Sequence, residues 1–152
     1  MATYETSLSN TSTGKVVGVG SHRTSIEIPA IVALSTAMID NANDDVGLFN
    51  VPAGFVVTGI GVDVTDMDSG SAGLIDIGDV DDEDRLIAAL SIQAVGYTTA
   101  LARAGFLYKY TAKTQIRVYC NTAAGTAVAG TLKVCLKGFI DENFSTTALT
   151  PA

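Results

Sequence analysis

The chain reads as an all-β domain, an antiparallel β-sandwich of jelly-roll type with one short helix and an extended N-terminal arm. Three observations lead there. Apolar and polar residues alternate in short runs between Thr24 and Ile140, turn-forming residues separate those runs, and the only helical signal is a brief one. At 152 residues the chain suits a single domain, able to bury roughly 68–70% of its unfolded surface in one core. The expected boundaries are an arm over 1–23, a sandwich over 24–142 and a tail over 143–152.

The arm is rich in Ser, Thr and Gly, with one short apolar patch at Val16–Val19, too little to fold by itself. The β pattern opens with Ser25-Ile26-Glu27-Ile28, which Pro29 is expected to interrupt before a second run at Ile31–Leu34. A polar loop, Asp40–Asp45, precedes a strand at Val46–Val51. Pro52-Ala53-Gly54 then forms a tight turn into a strand over Phe55–Thr65. Alternation puts Val56, Ile60, Val62 and Val64 on one face and Val57, Gly59, Gly61 and Asp63 on the other. Gly59 and Gly61 leave that second face nearly bare, which suits close approach by a partner.

Asp66–Ser71 reads as a loop and Leu74–Asp79 as a strand. Six acids then fall between Asp76 and Asp84, and their position suggests the first turn of a short helix over Asp82–Leu90. The segment lacks the glycine of a calcium-binding EF-hand loop, since Asp84 stands at the sixth position from Asp79. Phe106, Tyr108 and Tyr110 read as an inward-facing strand. The final pair of strands is expected to form a hairpin, with Ile116 opposite Leu136, Val118 opposite Val134 and Cys120 opposite Leu132. That register puts Arg117 opposite Cys135 on the outward face, with Lys133 and Lys137 diagonal to it, a basic patch for an acidic partner. It also points Cys120 and Cys135 to opposite faces, so no disulfide is expected.

Composition narrows the function classes. Hydrophobic residues make up 47% of the chain and charged residues 16%, against about 25% charged in an average soluble domain. Such an exterior suits being covered by other protein. A net charge of −7 and a pI near 4.4 disfavour a nucleic-acid partner. No apolar run reaches the roughly 20 residues that span a bilayer, so no membrane partner is expected. Met1–Asn10 lacks the basic start and apolar stretch of a signal peptide, which points to assembly in a cytoplasm.

Chemistry is sparse. His22, beside Arg23, has no nucleophile or carboxylate at recognisable spacing, and two cysteines with one histidine do not complete a zinc site. Gly18-Val19-Gly20 lacks the third glycine of a dinucleotide loop, and Lys15 lacks the preceding glycine of a P-loop. A hydrolytic or carbohydrate-binding sandwich would draw on Asp63, Asp66, Asp68 and Asp76, but there is no Trp to offer a broad stacking platform. No enzyme activity, cofactor or metal is therefore expected. The candidate contact residues are Lys15, Arg23, Gly59, Gly61, Arg117, Lys133 and Lys137.

In three stretches the chain resembles the small decoration, or cement, proteins of tailed-bacteriophage heads. They are the Val51–Phe55 turn with Thr58–Val64, the run Leu74–Arg85, and Ala127–Val134 with the end at Phe139–Glu142. The resemblance spans roughly Ile28–Glu142 and implies a β-sandwich, usually trimeric, clamped across neighbouring major capsid protein subunits on the outside of the virion. It carries no individual functional residue with it. A phage fibre or tail module is the nearest alternative.

Overall fold

A computed structural model describes residues 25–70 and 72–141. The arm and tail, with Lys15, His22 and Arg23, lie outside the described residues. Eight strands are present among the described residues: β1 (Ile26–Leu34), β2 (Asp45–Val51), β3 (Phe55–Val64), β4 (Leu74–Asp79), β5 (Asp82–Ser91), β6 (Gly96–Thr98), β7 (Thr114–Thr122) and β8 (Gly130–Ile140). They form two antiparallel four-stranded sheets, β1-β8-β3-β6 and β2-β7-β4-β5. Only β4 and β5 are joined within one sheet, and every other connection crosses between sheets. This is the jelly-roll order that the alternating pattern predicts.

The core lies between the sheets. Ile60, Val62, Val64, Leu132, Val134 and Leu136 face Ile75, Ile77, Ile116 and Val118 across it, all less than 5% exposed. Each such side chain contributes about 1.5–3 kcal/mol by leaving water.

The expected β7–β8 hairpin does not form. β7 pairs with β2 and β4, whereas β8 pairs with β1 and β3. Ile116 and Val118 face the same core as Leu132, Val134 and Leu136, but from the opposite sheet. Alternation reports which face of a strand meets the core, and two strands sharing a core satisfy it equally as neighbours or across the sandwich. Arg117 therefore lies on the other sheet from Lys133 and Lys137, not opposite Cys135. Both cysteines are free, Cys120 buried on β7 and Cys135 half-buried on β8.

The expected helix over Asp82–Leu90 is strand β5, and among the described residues the only helical element is the 3-10 turn Thr36–Met38. Asp79 decides the outcome. Its Oδ1 accepts the N–H groups of Asp81 (3.0 Å) and Asp82 (3.1 Å), so the acids form a hairpin turn instead of capping a helix. Helix-like spacing at Leu86, Ile87 and Leu90 comes from bulges. Ile75 pairs with Leu90 and Ile77 with Ile87, then Asp79 with Asp82, so β5 holds extra residues that break the two-residue period. Ala89, at φ 51°, sits in one bulge with its N–H on Asp76 Oδ1 at 2.6 Å.

A bulge also changes the phase of β3. Val57 pairs with Gly138 and Gly59 with Lys137, leaving Thr58 as the extra residue. Val57 thus joins Ile60, Val62 and Val64 in the core rather than sharing a face with Gly59. Pro29 does not interrupt β1, which runs on one edge of its sheet where proline is tolerated. The expected strand at Phe106–Tyr110 is a turn-rich segment flanking the start of β3, with Tyr108 O accepting from Val57 N at 3.0 Å. Tyr110 is buried there but Phe106 is exposed.

Gly78 is required by this geometry, because a Cβ on it would collide with the backbone of Asp82 and Glu83. Gly78→Ala is expected to lower stability by about 1–3 kcal/mol in urea denaturation. Gly59→Ala, whose added carbon meets nothing closer than Lys137 Cβ at 3.9 Å, should stay within about 0.5 kcal/mol of the parent.

Candidate functional site

The outer face of β1-β8-β3-β6 gathers four of the sequence-derived contact residues. Gly59, Lys137 and Glu27 lie side by side across β3, β8 and β1; Gly61, Cys135 and Pro29 form the next row; Asp63, Lys133 and Ile31 form the third. The pleat sends Leu132, Val134 and Leu136 inward and leaves Lys133, Cys135 and Lys137 outward. β6 adds Tyr97 beside Asp63.

Glycine at 61 shapes the surface. The Tyr97 ring lies against it, so a Cβ there would stand 3.2 Å from the phenol oxygen. Tyr97 and Ile31, at 71% and 73% exposure, rise on either side, and between them runs a groove of about 330 Å³ with Pro29, Gly61 and Cys135 in its lining. The cations on this face are paired. Lys133 Nζ meets Asp63 Oδ2 at 2.9 Å and Lys137 Nζ meets Glu27 Oε1 at 3.2 Å. The hydrogen bond that Lys137 donates to Glu27, together with the Glu27 charge, pushes the Lys137 ammonium up from its ordinary value. Arg117, on the opposite sheet, is paired with Asp45. The basic patch expected from the hairpin is thus divided between two faces, and each of its members has an acidic neighbour.

The carboxylates considered for hydrolysis are engaged elsewhere. Asp63 holds Lys133, Asp66 accepts from Asp68 N (3.2 Å), and Asp76 accepts from Ala89 N and Asn121 Nδ2, each at 2.6 Å. Asp68 is 1% exposed, and each of its oxygens takes two backbone N–H groups. Oδ1 accepts from Gly70 (2.9 Å) and Thr126 (2.8 Å), Oδ2 from Gly73 (2.9 Å) and Gly125 (3.0 Å). Those bonds, Thr126 foremost, outweigh desolvation and hold its carboxyl at about 2, below the ordinary 3.8. Burial pushes the Cys120 thiol up, and Asp44 and Asp40 reinforce it, which disfavours the thiolate.

A second polar cluster lies where β5 meets the 101–110 segment. Arg85 Nε donates to Asp79 Oδ2 at 2.6 Å, with side-chain exposures of 11% and 2%. The guanidinium carbon stands 3.9 Å from the Tyr108 ring centroid, and Tyr108 meets Tyr110 edge-on at 4.9 Å. Asp84, adjacent in sequence, is not the partner of Arg85. Asp68, Asp79, Arg85 and Tyr97 were not singled out for these roles by pattern. The Asp68-Ser-Gly order does carry the signal of an Asx turn, but nothing local points to the 125–126 loop.

No family model matches this chain, and no curated protein matches it. Its fold does match solved structures. Three of them lie in phage capsids. A chain of the cyanophage Pam1 capsid asymmetric unit is 19% identical with a TM-score of 0.65, over 90% of this chain and 100% of that one. A chain of the Ralstonia phage GP4 capsid is 22% identical with a TM-score of 0.66, over 78% and 85%. One from the acidic stable capsid of Helicobacter pylori bacteriophage KHP30 is 19% identical with a TM-score of 0.51, over 76% and 92%. The likeness is one of fold.

Two stability outcomes follow from the buried carboxylates. Because Asp68 titrates lower when folded, its contribution is complete above about pH 4 and is lost as pH falls through about 2. Thermal melts between pH 5 and 2 should show that loss, and Asp68→Asn should melt lower at pH 5 with a flatter acid limb. Arg85→Ala should cost about 3–5 kcal/mol in chemical denaturation, since it strands a buried Asp79.

Proposed function

We propose that this chain is a structural virion protein, a decoration protein that binds the outside of a phage head and stabilises it by adding interface. The observation that carries this reading is the extent of the structural matches. They cover 85–100% of the capsid chains concerned, so in each case the matched polypeptide is little more than this sandwich. That supports a separate, small component of the head over a domain of a larger shell-forming chain. Low charge content and a face with paired ions fit a subunit designed to be covered. Many modest contacts repeated around a symmetric shell add through effective concentration, so no single one has to be tight.

In this reading the partner is the major capsid protein, the chain is a homo-oligomer, with a trimer favoured, and the 24–142 sandwich is the domain, with 1–23 an arm that offers Lys15 and Arg23 as contacts and 143–152 a tail. No reaction is assigned to it. A carbohydrate-binding role has one observation in its favour, the exposed Tyr97 ring beside Asp63, and a glycan array separates the two. Purified chain mixed with heads assembled without it should bind stoichiometrically and raise the temperature at which the heads rupture. Absence of binding, followed by sedimentation, would overturn the proposal.

A further inference from the structure

We infer that the groove between Ile31 and Tyr97 is the surface that meets the shell, and that its occupant is an uncharged, apolar strip of a shell subunit. The inference rests on the decoration reading and adds the surface and the chemistry of the contact.

Charge selects the occupant. The chain has a net charge of −7, yet this face balances two lysines against two carboxylates, Lys133 with Asp63 and Lys137 with Glu27. A charged partner finds these four ions already partnered and gains little by exchanging one weak surface pair for another, whereas an apolar strip can lie over them and leave every ion with its counter-ion. The floor and walls agree with this. Pro29, Gly61 and Cys135 offer almost no strong donors or acceptors, Ile31 and Tyr97 present apolar flanks to solvent, and the charged members of the lining, Asp63, Lys133 and Lys137, each already hold a counter-ion. At about 30 Å³ per water, the groove holds roughly ten waters that such a strip would release.

Shape disfavours a second copy of this chain as the occupant. An isologous contact would set the same two ridges against each other. A narrow strip instead enters between the ridges.

The test is binding of full-length variants to heads assembled without this chain, read by sedimentation, with circular-dichroism melts as a control for folding. Gly61→Val puts side-chain bulk into the groove, its Cβ meeting the Tyr97 ring end first. Ile31→Asp puts a charge on a side chain 73% exposed, so its folding should be unaffected even where Gly61→Val is compromised. Each should weaken binding by about tenfold or more. Neutralising a pair while keeping it polar, Lys133→Gln with Asp63→Asn, should leave affinity within about threefold, as should raising salt to about 0.5 M.

Unchanged binding by Ile31→Asp overturns the inference and leaves the decoration reading standing. A steep fall of wild-type affinity with salt overturns the uncharged contact. Loss of self-association in Ile31→Asp with shell binding intact assigns the groove to a second copy and also overturns it. Failure of the wild type to bind heads at all removes the decoration reading and this inference with it.

Discussion

One buried carboxylate holds together two of the connections on which the sandwich depends. Asp68 lies in the β3–β4 crossing, and two of its four backbone donors, Gly125 and Thr126, belong to the β7–β8 crossing. Both connections carry the chain from one sheet to the other, and where they meet they pair at the isolated antiparallel bridge between Asp68 and Ala127, outside either sheet. Four N–H groups converging on one anion satisfy buried donors that would otherwise be costly. The same neighbourhood sets the start of β8, where Thr65 N donates to Thr131 O and Val128 N to Met67 O. From that start the pleat determines that Leu132, Val134 and Leu136 go in while Lys133, Cys135 and Lys137 go out.

Irregularities in the strands matter as much as the regular pairing. The extra residue in β3 lets Phe55 and Val57 face the core before the bulge and Ile60, Val62 and Val64 after it. Without it the later half of the strand would turn its valines to solvent and its glycines and Asp63 to the core. In β5, extra residues bring Arg85 into the protein beside Asp79, and the guanidinium then meets the Tyr108 ring. That contact joins the β4–β5 hairpin to the 101–110 segment, which itself hydrogen-bonds to the beginning of β3. The two sheets are thus linked along one side by a polar cluster and across their loops by another.

The outer face of β1-β8-β3-β6 inherits its character from this framework. Across three strands it sets small or half-buried residues in the middle row and ion pairs on either side of that row, with apolar ridges at Ile31 and, on the fourth strand, Tyr97. An acidic protein thereby presents one area whose local charge is balanced, and balanced ions can be covered at lower cost than lone ones. This matches a role built on contact. The jelly roll supplies the rigidity, and the side chains of alternate positions on three adjacent strands supply the surface.

Much of this was legible in order of residues alone. The β class, the single sandwich, the ends of β2, β3 and β4, and the outward placement of Gly59, Gly61, Lys133 and Lys137 all follow from a two-residue period and turn chemistry, which are local properties. Register across the core was not legible, because β7 and β8 satisfy the same alternation as neighbours or as facing strands. Nor were the bulges, whose extra residues imitate helical spacing at Leu86, Ile87 and Leu90. The fates of Asp68 and Asp79 depended on backbone donors, and for Asp68 two of these lie 57 and 58 positions away. Sequence by itself determined which residues seek the interior and where the chain turns. Tertiary structure alone decided which strands became neighbours, because pairing and long-range hydrogen bonds are settled only when all eight strands share one core.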